Sequence, residues 1–266
     1  MESSTAAHPP ETLEGWFALH QLYQVDRRAL RSLDSAELQE TACAASDALS
    51  EITAPNGANG DGWSAVVPLI GSTADVLFLH FRPTLDALRD VQERINRLRL
   101  ADLLRPLTFF LSVTELGLYQ LAAHGPDDPK REERIRAERE SPHTTRRLFP
   151  TLPPGMPYVS FYPMSKRRET GQNWYTLPLA DRSKLMHSHG ITGRRYAGRV
   201  VQIITGAIGL DRWEWGVTLF AKDPVDFKKL VTEMRFDEVS AKYAEFGDFF
   251  VGRVSDPREW VQSLAT

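Results

Sequence analysis

The sequence predicts an α+β protein, and three observations lead to that prediction. Each half of the 266-residue chain shows the order strand, helix, strand, strand, helix, strand. A polar segment at 125–147 separates the two halves. Hydrophobic residues make up 42% of the chain, which is enough to fill a sizeable core. We therefore expect two similar units that share one architecture.

The first half supplies its elements in a clear order. The aromatic stretch GWFALHQLYQV (15–25) is typical of a strand, and the leucine spacing over 26–52 is typical of a helix. PNGANGDG then breaks the chain before two short strands, WSAVVPLIG and DVLFLHF. Apolar positions recur at helical intervals from Leu85 to Leu98, and LTFFLSVTELGLYQL returns to strand composition.

The second half repeats this order. YVSFYPMSK (158–166) predicts a strand, and LADRSKLMHSHG predicts a helix that Gly190 terminates. RVVQIITGA and RWEWGVTLFAK predict two strands, PVDFKKLVTEMRFDEVSAKYAEF a helix or helix pair, and GDFFVGRV a last strand. The order matches the ferredoxin-like motif twice, and two such units can pack sheet on sheet into a barrel.

This pattern gives the expected domain boundaries. We predict a disordered leader over 1–12, an N-terminal ferredoxin-like half over 13–124, a charged linker over 125–150 and a C-terminal ferredoxin-like half over 151–266.

Composition restricts the class of function. A net charge of -3 argues against nucleic acid or an anionic membrane as the main partner. Cys43 is the single cysteine, which excludes an intramolecular disulfide and favours a reducing compartment. The first residues lack a signal-peptide pattern, and no segment reaches the roughly 18 continuous apolar residues of a membrane span. We therefore predict a cytoplasmic protein without a membrane span.

Two histidines, two residues apart, raise the question of metal binding. On a helix His189 shares a face with Leu185 and Met186, whereas His187 lies on the polar side, so the two rings point apart. His187 is best explained as a surface residue. No Cys, His or carboxylate stands at a zinc-like spacing from His189, and one protein ligand is what a haem iron requires. A favourable interaction with the helix dipole is the alternative explanation for His189.

The strand at 158–166 has an unusual face. Alternation places on one side Tyr158, Ser160, Tyr162, Met164 and Lys166. A phenol, a thioether and an ammonium group suit a ligand wall, although a half-exposed strand with a snorkelling lysine explains them equally well. Gln202 shares a strand face with Val200 and Ile204, where a buried amide needs a partner or a ligand.

Longer motifs in the second half carry a family resemblance. YVSFYPMSKRR, NWYTLP, HGITGRRYAGRVVQIITGAIGLDRWEWGVTLFAKDPVDFKKLV and MRFDEVSAKYAEFGDFFVG closely resemble the coproheme decarboxylases (HemQ) of the chlorite dismutase superfamily, in the non-actinobacterial branch with a Tyr/Met/Lys motif. The match is densest over about 145–254. The resemblance implies a dimeric α+β barrel made of two ferredoxin-like halves, and assembly as a homopentamer.

The resemblance assigns roles around an iron porphyrin. His189 corresponds to the axial iron ligand, and Tyr162 to the carrier of a catalytic tyrosyl radical. Lys166 corresponds to a lysine that assists at the second propionate, and Met164 to a residue at the ring edge.

The remaining positions concern propionates and the distal pocket. Arg147, Arg235 and Ser240 match residues that anchor propionates. Chlorite dismutases are similar around the histidine but carry a distal arginine where this chain has Gln202. A neutral amide cannot form charge-assisted hydrogen bonds to chlorite, and Gln202 therefore argues against chlorite chemistry.

The activity implied by the resemblance is the oxidative decarboxylation of Fe-coproporphyrin III (coproheme) by hydrogen peroxide. Coproheme, which is substrate and redox cofactor at once, becomes haem b through a three-propionate intermediate, in the last step of coproporphyrin-dependent haem biosynthesis. Transient contact with the ferrochelatase that supplies coproheme is expected. The alternatives are a haem peroxidase or chlorite dismutase-like enzyme, and a haem carrier or sensor without turnover.

Overall fold

The computed structural model describes residues 9–55, 60–124 and 128–265, and it confirms the predicted α+β class. The strands are β1 (Thr12–Val25), β2 (Trp63–Pro68), β3 (Val76–Arg82), β4 (Leu104–Gly117), β5 (Tyr158–Lys166), β6 (Val200–Gly206), β7 (Trp215–Ala221), β8 (Ala244–Phe246) and β9 (Phe250–Arg253). The helices are α1 (Arg27–Ser32), α2 (Ser35–Thr53), α3 (Leu85–Asn96), α4 (Arg131–Arg139), α5 (Pro142–Leu148), α6 (Leu179–Arg194), α7 (Val225–Arg235), α8 (Glu238–Tyr243) and α9 (Pro257–Leu264). Short 3₁₀ turns lie at Arg99–Leu103, Tyr119–His124 and Trp174–Thr176.

All strands belong to one antiparallel sheet. Its order is β2, β3, β1, β4, β6, β7, β5, β8, and β9 also pairs with β5. The halves meet where β4 pairs with β6 at Val113 and Gly206. At the other end single bridges join the region of β2 to that of β9, at Val66 with Ser255 and at Leu69 with Gly252. The sheet therefore curves round until its two ends meet, as a barrel requires.

The seam between β2 and β9 depends on glycine. A Cβ atom on Gly252 would lie 2.1 Å from the carbonyl oxygen of Pro68, so no larger residue could bring the two backbones so close. At the seam Ile70 N donates to the Val251 carbonyl at 2.9 Å.

The two faces of the sheet have different surroundings. The inner face fills the barrel with apolar and aromatic side chains, including Trp63, Phe81, Phe161 and Phe220. Helices α2, α3 and α9 cover the outer face of the first half. Helices α6, α7 and α8 lie on the outer face of the second half, where the side chains of β5, β6 and β7 form a separate cluster.

The helix predicted over 26–52 is two helices, α1 and α2. The break follows from Asp34, whose side chain accepts hydrogen bonds from Ala36 N and Glu37 N while the Glu37 carboxylate accepts from Asp34 N. This reciprocal capping box starts a new helix, so the leucine spacing across the break misled the prediction.

Helix α6 also differs from the prediction. Gly190 does not end it, because the helix continues to Arg194 and Gly190 does not adopt a positive φ. The left-handed glycine that follows the helix is Gly198, at φ 81°.

Two further elements lay outside the prediction. Residues 244–246, predicted as helix, form β8 because Phe246 pairs with Met164 of β5. Helix α9 follows β9 and packs on α2 of the first half, and its Trp260 meets Phe78 of β3 with ring centroids 5.4 Å apart.

The predicted leader and linker are described only in part. Residues 1–8 and 125–127 lie outside the described residues, whereas Glu11 accepts a hydrogen bond from Leu118 N at 2.8 Å and Thr12 opens β1. The rest of the charged linker forms α4 and α5. None of the helices in the described ranges combines the length and hydropathy that a membrane span requires.

Two histidines are buried away from the helix α6 region. His20 stacks on Phe161 inside the barrel and contacts Thr218 Oγ1 at 2.8 Å, and His80 contacts Ser64 Oγ at 2.8 Å beneath the first-half helices. Burial lowers the pKa of both His20 and His80 to about 3. Both rings are therefore neutral in the folded protein at neutral pH.

This neutrality makes stability depend on pH. The pKa values of His20 and His80 in the folded protein lie below the value in the unfolded chain. The two neutral histidines therefore contribute their full stability to the fold above about pH 6.5, and this contribution is lost as the pH falls towards the folded value of about 3. Between about pH 7 and pH 5 each histidine should cost about 2 kcal/mol of unfolding free energy. Measured by urea unfolding, the free energy of unfolding of the His80→Gln variant should therefore fall by about 2 kcal/mol less than that of the wild type over this interval. Equal losses in the two proteins would contradict a neutral buried His80.

Candidate functional site

The outer face of the second-half sheet forms the floor of the candidate site. Tyr158, Tyr162 and Met164 of β5 face outward into the cluster beneath α7, while Val159 and Phe161 face the barrel interior. The predicted alternation along β5 is thus confirmed. Val200 and Ile204 join the same outer cluster from β6, which puts Gln202 on that side as well.

Helix α6 brings His189 over this floor, and a hydrogen bond to Asp237 holds its ring. His189 Nδ1 lies 2.6 Å from Asp237 Oδ2, in the turn between α7 and α8. The Asp237 side chain is 7% exposed and makes no hydrogen bond to the start of α8, although the residue occupies the N-cap position. Because Nδ1 is engaged, Nε2 is the ring nitrogen that can bind a metal.

The protonation of His189 favours this role. Burial lowers the pKa of His189, Asp237 acts in the opposite direction, and Lys166 adds to the lowering. A neutral imidazole is the form that ligates iron. Within the described part of the chain, no three His, Cys, Asp or Glu side chains gather as a site for a bare metal ion. His187 is exposed, as predicted.

Lys166 lies at the end of β5, close to the same aspartate. It is 9% exposed, and its Nζ lies 4.5 Å from the centroid of the Trp174 ring. Burial lowers the pKa of Lys166 to about 8, while the charges of Asp237 and Glu214 act to raise it. Lys166 is therefore mainly a cation at neutral pH, yet it can release a proton within one or two units above it.

Tyr162 stands in an aromatic environment. Its ring stacks on Phe249 at a centroid distance of 4.3 Å and lies 5.9 Å from Phe246. The Arg235 guanidinium lies 3.7 Å from the Phe246 ring centroid. Burial raises the pKa of Tyr162 to about 12, although the Arg235 charge acts in the opposite direction. The phenol is thus protonated under ordinary conditions.

Open space adjoins the aromatic group formed by Tyr162, Phe246 and Phe249. A groove of about 410 Å³ between α7 and strands β5 and β9 is lined in part by Ser160, Arg235 and Phe249. The other lining side chains are mostly apolar, and Lys228 adds a second cation. A molecule with an apolar body and carboxylate arms would suit such a lining.

Gln202 lies under helix α6. A Cβ atom built on Gly193 would be 3.5 Å from Gln202 Nε2 and 3.2 Å from Met234 Cε. The amide therefore sits between β6 and the two helices, on the same side of the sheet as Tyr162 and His189.

The structure brings together most of the predicted site residues but not all. Met164 pairs with Phe246, and Ser240 is buried on α8 with its backbone N–H donating to the Asp237 carbonyl at 3.1 Å. Arg147 is exposed on α5, which packs on β1 and β4. The predicted role of Arg147 at a propionate stays a prediction.

Sequence reasoning missed Asp237, the partner of His189. The structure gives this role to Asp237, 48 residues after His189 in the chain. The local pattern indicates a different role, because Asp before a short helix is a typical N-cap residue, whereas the Asp237 side chain makes no capping hydrogen bond. Trp174 and Glu214, which surround Lys166, also went unnoticed.

These residues fit an iron porphyrin with carboxylate arms. One imidazole nitrogen can bind the iron, while Lys166 and Arg235 offer positive charge on the same side of the sheet. An aromatic and apolar floor suits the flat ring.

Comparison with known proteins identifies the family of the chain. The family model described as Chlorite dismutase matches residues 39–255. A haem-binding protein from Thermus thermophilus is 42% identical, with a TM-score of 0.85 over 98% of this chain and 100% of that chain.

More distant structures share the fold. Chlorite dismutase from Candidatus Nitrospira defluvii in complex with imidazole is 18% identical, with a TM-score of 0.73 over 95% of this chain and 96% of that chain. A mutant of the same enzyme gives the same identity, coverage and TM-score. The matched region includes every strand except β1 and every residue of the candidate site, and we conclude that the chain belongs to the chlorite dismutase family.

Proposed function

We propose that the protein binds coproheme and converts it to haem b with hydrogen peroxide, through a three-propionate intermediate. The observation that carries this proposal is the placement of a neutral, hydrogen-bonded His189 over the sheet face that holds Tyr162 and Lys166. The haem-binding relative at 42% identity supports binding of a haem-type molecule.

The chain's own residues would hold the substrate at several points. His189 Nε2 would bind the iron, and Asp237 would keep the imidazole in one tautomer and orientation. Arg235 and Lys166 would attract propionates, which a chain of net charge -3 must bind through local positive charge. When bound, the iron porphyrin supplies the oxidising power that peroxide delivers.

Tyr162 would carry out the step on the side arm. Its phenol loses one electron and its proton, and the resulting phenoxyl radical takes a β-hydrogen atom from the adjacent propionate. Loss of carbon dioxide and one more electron leaves a vinyl group. Each propionate gives up two electrons in all, and one molecule of hydrogen peroxide accepts them with two protons to give two molecules of water. The aromatic surroundings of Tyr162 exclude water from the radical.

Lys166 would act on a propionate and its proton balance. A lysine whose pKa is about 8 can attract a carboxylate as a cation and still exchange a proton near neutrality. We expect its main contribution at the second propionate, after the three-propionate intermediate has turned in the pocket.

Two alternative functions make different demands on the site. A chlorite-splitting enzyme needs a cation near the distal face, and Gln202 is neutral there. A haem carrier or sensor needs no oxidisable residue, whereas Tyr162 stands on the binding face. The mass of the bound porphyrin before and after peroxide distinguishes the three. Stepwise loss of two carboxyl groups supports our proposal, while bleaching alone or oxygen release from chlorite contradicts it.

Other features of this proposal rest on the resemblance alone. A homopentamer, transient contact with the ferrochelatase that supplies coproheme, a cytoplasmic location and a place at the end of haem biosynthesis are part of the proposal. Sedimentation analysis of the loaded protein tests the pentamer.

Replacing Tyr162 by Phe should stop decarboxylation while coproheme still binds. We expect the rate of haem b formation to fall at least about a hundredfold, because the ring and its packing remain but the oxidisable hydroxyl is lost. The matched control is Tyr23→Phe, since Tyr23 is also buried with a pKa raised to about 12 but lies in the first half. A Tyr162→Phe protein that makes haem b at the wild-type rate would refute the radical role.

Replacing Asp237 by Ala should weaken porphyrin binding about 10- to 100-fold, because the imidazole of His189 loses the group that orients it. The neighbouring Glu238→Ala exchange is the control and should change the affinity little, since Glu238 is exposed. Haem titration followed at the Soret band measures both. Equal affinities for the two variants would show that Asp237 does not position the ligand.

The pKa of Lys166 predicts a pH dependence. Lys166 is charged below about pH 8 and neutral above it, so conversion of the three-propionate intermediate should slow as the pH rises through about 8. In a Lys166→Arg variant the charge persists, and the decline should move to higher pH or disappear. Lys166→Met should accumulate the intermediate at every pH. Identical pH profiles for the wild type and Lys166→Arg would exclude Lys166 as the titrating group.

A further inference from the structure

A carboxylate from the first half reaches the outer face of the second half. Glu115 of β4 lies two residues beyond Val113, which pairs with Gly206 of β6, and its side chain reaches β7. Its Oε1 accepts a hydrogen bond from Trp215 Nε1 of β7 at 3.3 Å. This contact joins residues 100 positions apart in the chain and crosses the boundary between the halves.

The path of this carboxylate requires glycine at position 206. A Cβ atom on Gly206 would lie 2.5 Å from Glu115 Oε2, so any larger residue would push the carboxylate away from Trp215. Gly206 has no positive φ, which means that its backbone conformation does not demand glycine. Glycine is needed here only because a Cβ atom would occupy the space of the Glu115 carboxylate.

Trp215 connects this contact with the wall of the site. In the sheet register Trp215 lies opposite Gly206 on one side and opposite Met164 on the other. Met164 continues the row to Phe246, whose ring lies beside Tyr162 and Arg235. A row of cross-strand paired positions on the outer face therefore leads from the Trp215 partner of Glu115 to the aromatic group around Tyr162.

The surroundings of Glu115 destabilise the charged form of its carboxyl group. Burial raises the pKa of Glu115, and Glu14, directly opposite on β1, adds to the rise, while the Trp215 hydrogen bond acts against it. A carboxyl group that served only solubility would stay in water, where it needs neither the indole nor the glycine.

We propose that Glu115 is a positioning residue for the porphyrin site, which fixes the Trp215 indole and, through it, the Met164 wall. The inference rests on the proposed function, because it assumes that Met164 lines the porphyrin edge. It also gives the first half a part in ligand binding.

The physical basis is the rigidity of one side chain. Met164 is a flexible thioether, so its position depends on what packs against it. With Nε1 bound, the Trp215 indole keeps one orientation and presents one fixed surface to Met164. Without an acceptor the indole can turn, Met164 follows, and the porphyrin edge loses a defined contact.

Four variants test this inference through affinity for coproheme and for haemin. Glu115→Ala should weaken binding about tenfold, whereas Glu115→Gln should stay within about twofold of the wild type, because its amide oxygen still accepts the indole N–H. Gly206→Ala should resemble Glu115→Ala. In a Trp215→Phe background the Glu115→Ala exchange should have no further effect, since its partner is already absent.

A readout on the porphyrin-free protein separates positioning from general stability. In ultraviolet resonance Raman spectra, the indole N–H signal of Trp215, isolated by subtracting the Trp215→Phe spectrum, should report a hydrogen bond in the wild type and in Glu115→Gln. The signal should shift in Glu115→Ala and in Gly206→Ala. Urea unfolding of each variant checks that the fold is retained.

The outcomes decide between explanations. Wild-type affinity in Glu115→Ala would overturn the positioning role. Equal losses of affinity in Glu115→Ala and Glu115→Gln would also overturn it, because they would show that the charge of Glu115 matters instead. Additive losses in the double variant would overturn it too. A protein that binds haemin and shows the expected Glu115 effects, yet never decarboxylates coproheme, would refute the proposed function and leave this inference standing.

Discussion

The hydrogen bond between His189 and Asp237 is the interaction on which the candidate site depends. It joins α6 to the turn between α7 and α8, so that two separate elements share one contact over the sheet. It also leaves Nε2 as the ring nitrogen that could bind a ligand, and it brings a negative charge close to Lys166. A single short contact therefore fixes the orientation of the imidazole and the electrostatic surroundings of the nearest cation.

The two halves show how one topology serves two purposes. In the first half the outer face is filled by α2, α3 and α9, and the buried Arg82 there donates a hydrogen bond to the Ile52 carbonyl at the end of α2. In the second half α6 and α7 lie over a floor that carries Tyr162, Gln202 and Met164. The difference lies in side chains and not in the order of strands, as is usual when function is placed on a repeated fold.

Much of this arrangement could be predicted from the sequence, for identifiable reasons. Alternation along β5 gave the correct outward face because strand geometry fixes side-chain direction. Local signals failed where tertiary contacts decide the outcome. Gly190 resembled a helix end, but α6 continues, and residues 244–246 left the predicted helix to pair with β5. Asp237 and Glu115 act through partners 48 and 100 residues away, which no local spacing reveals.

The late position of helix α9 in the chain affects how the first half folds during synthesis. Residues 257–264 come after both sets of strands, yet Trp260 and Val261 belong to the outer layer of the first half. A nascent chain that has emerged only through β4 exposes apolar surface on α2 that nothing yet covers. Vectorial folding of the first half on the ribosome is therefore incomplete until the last helix has left the exit tunnel.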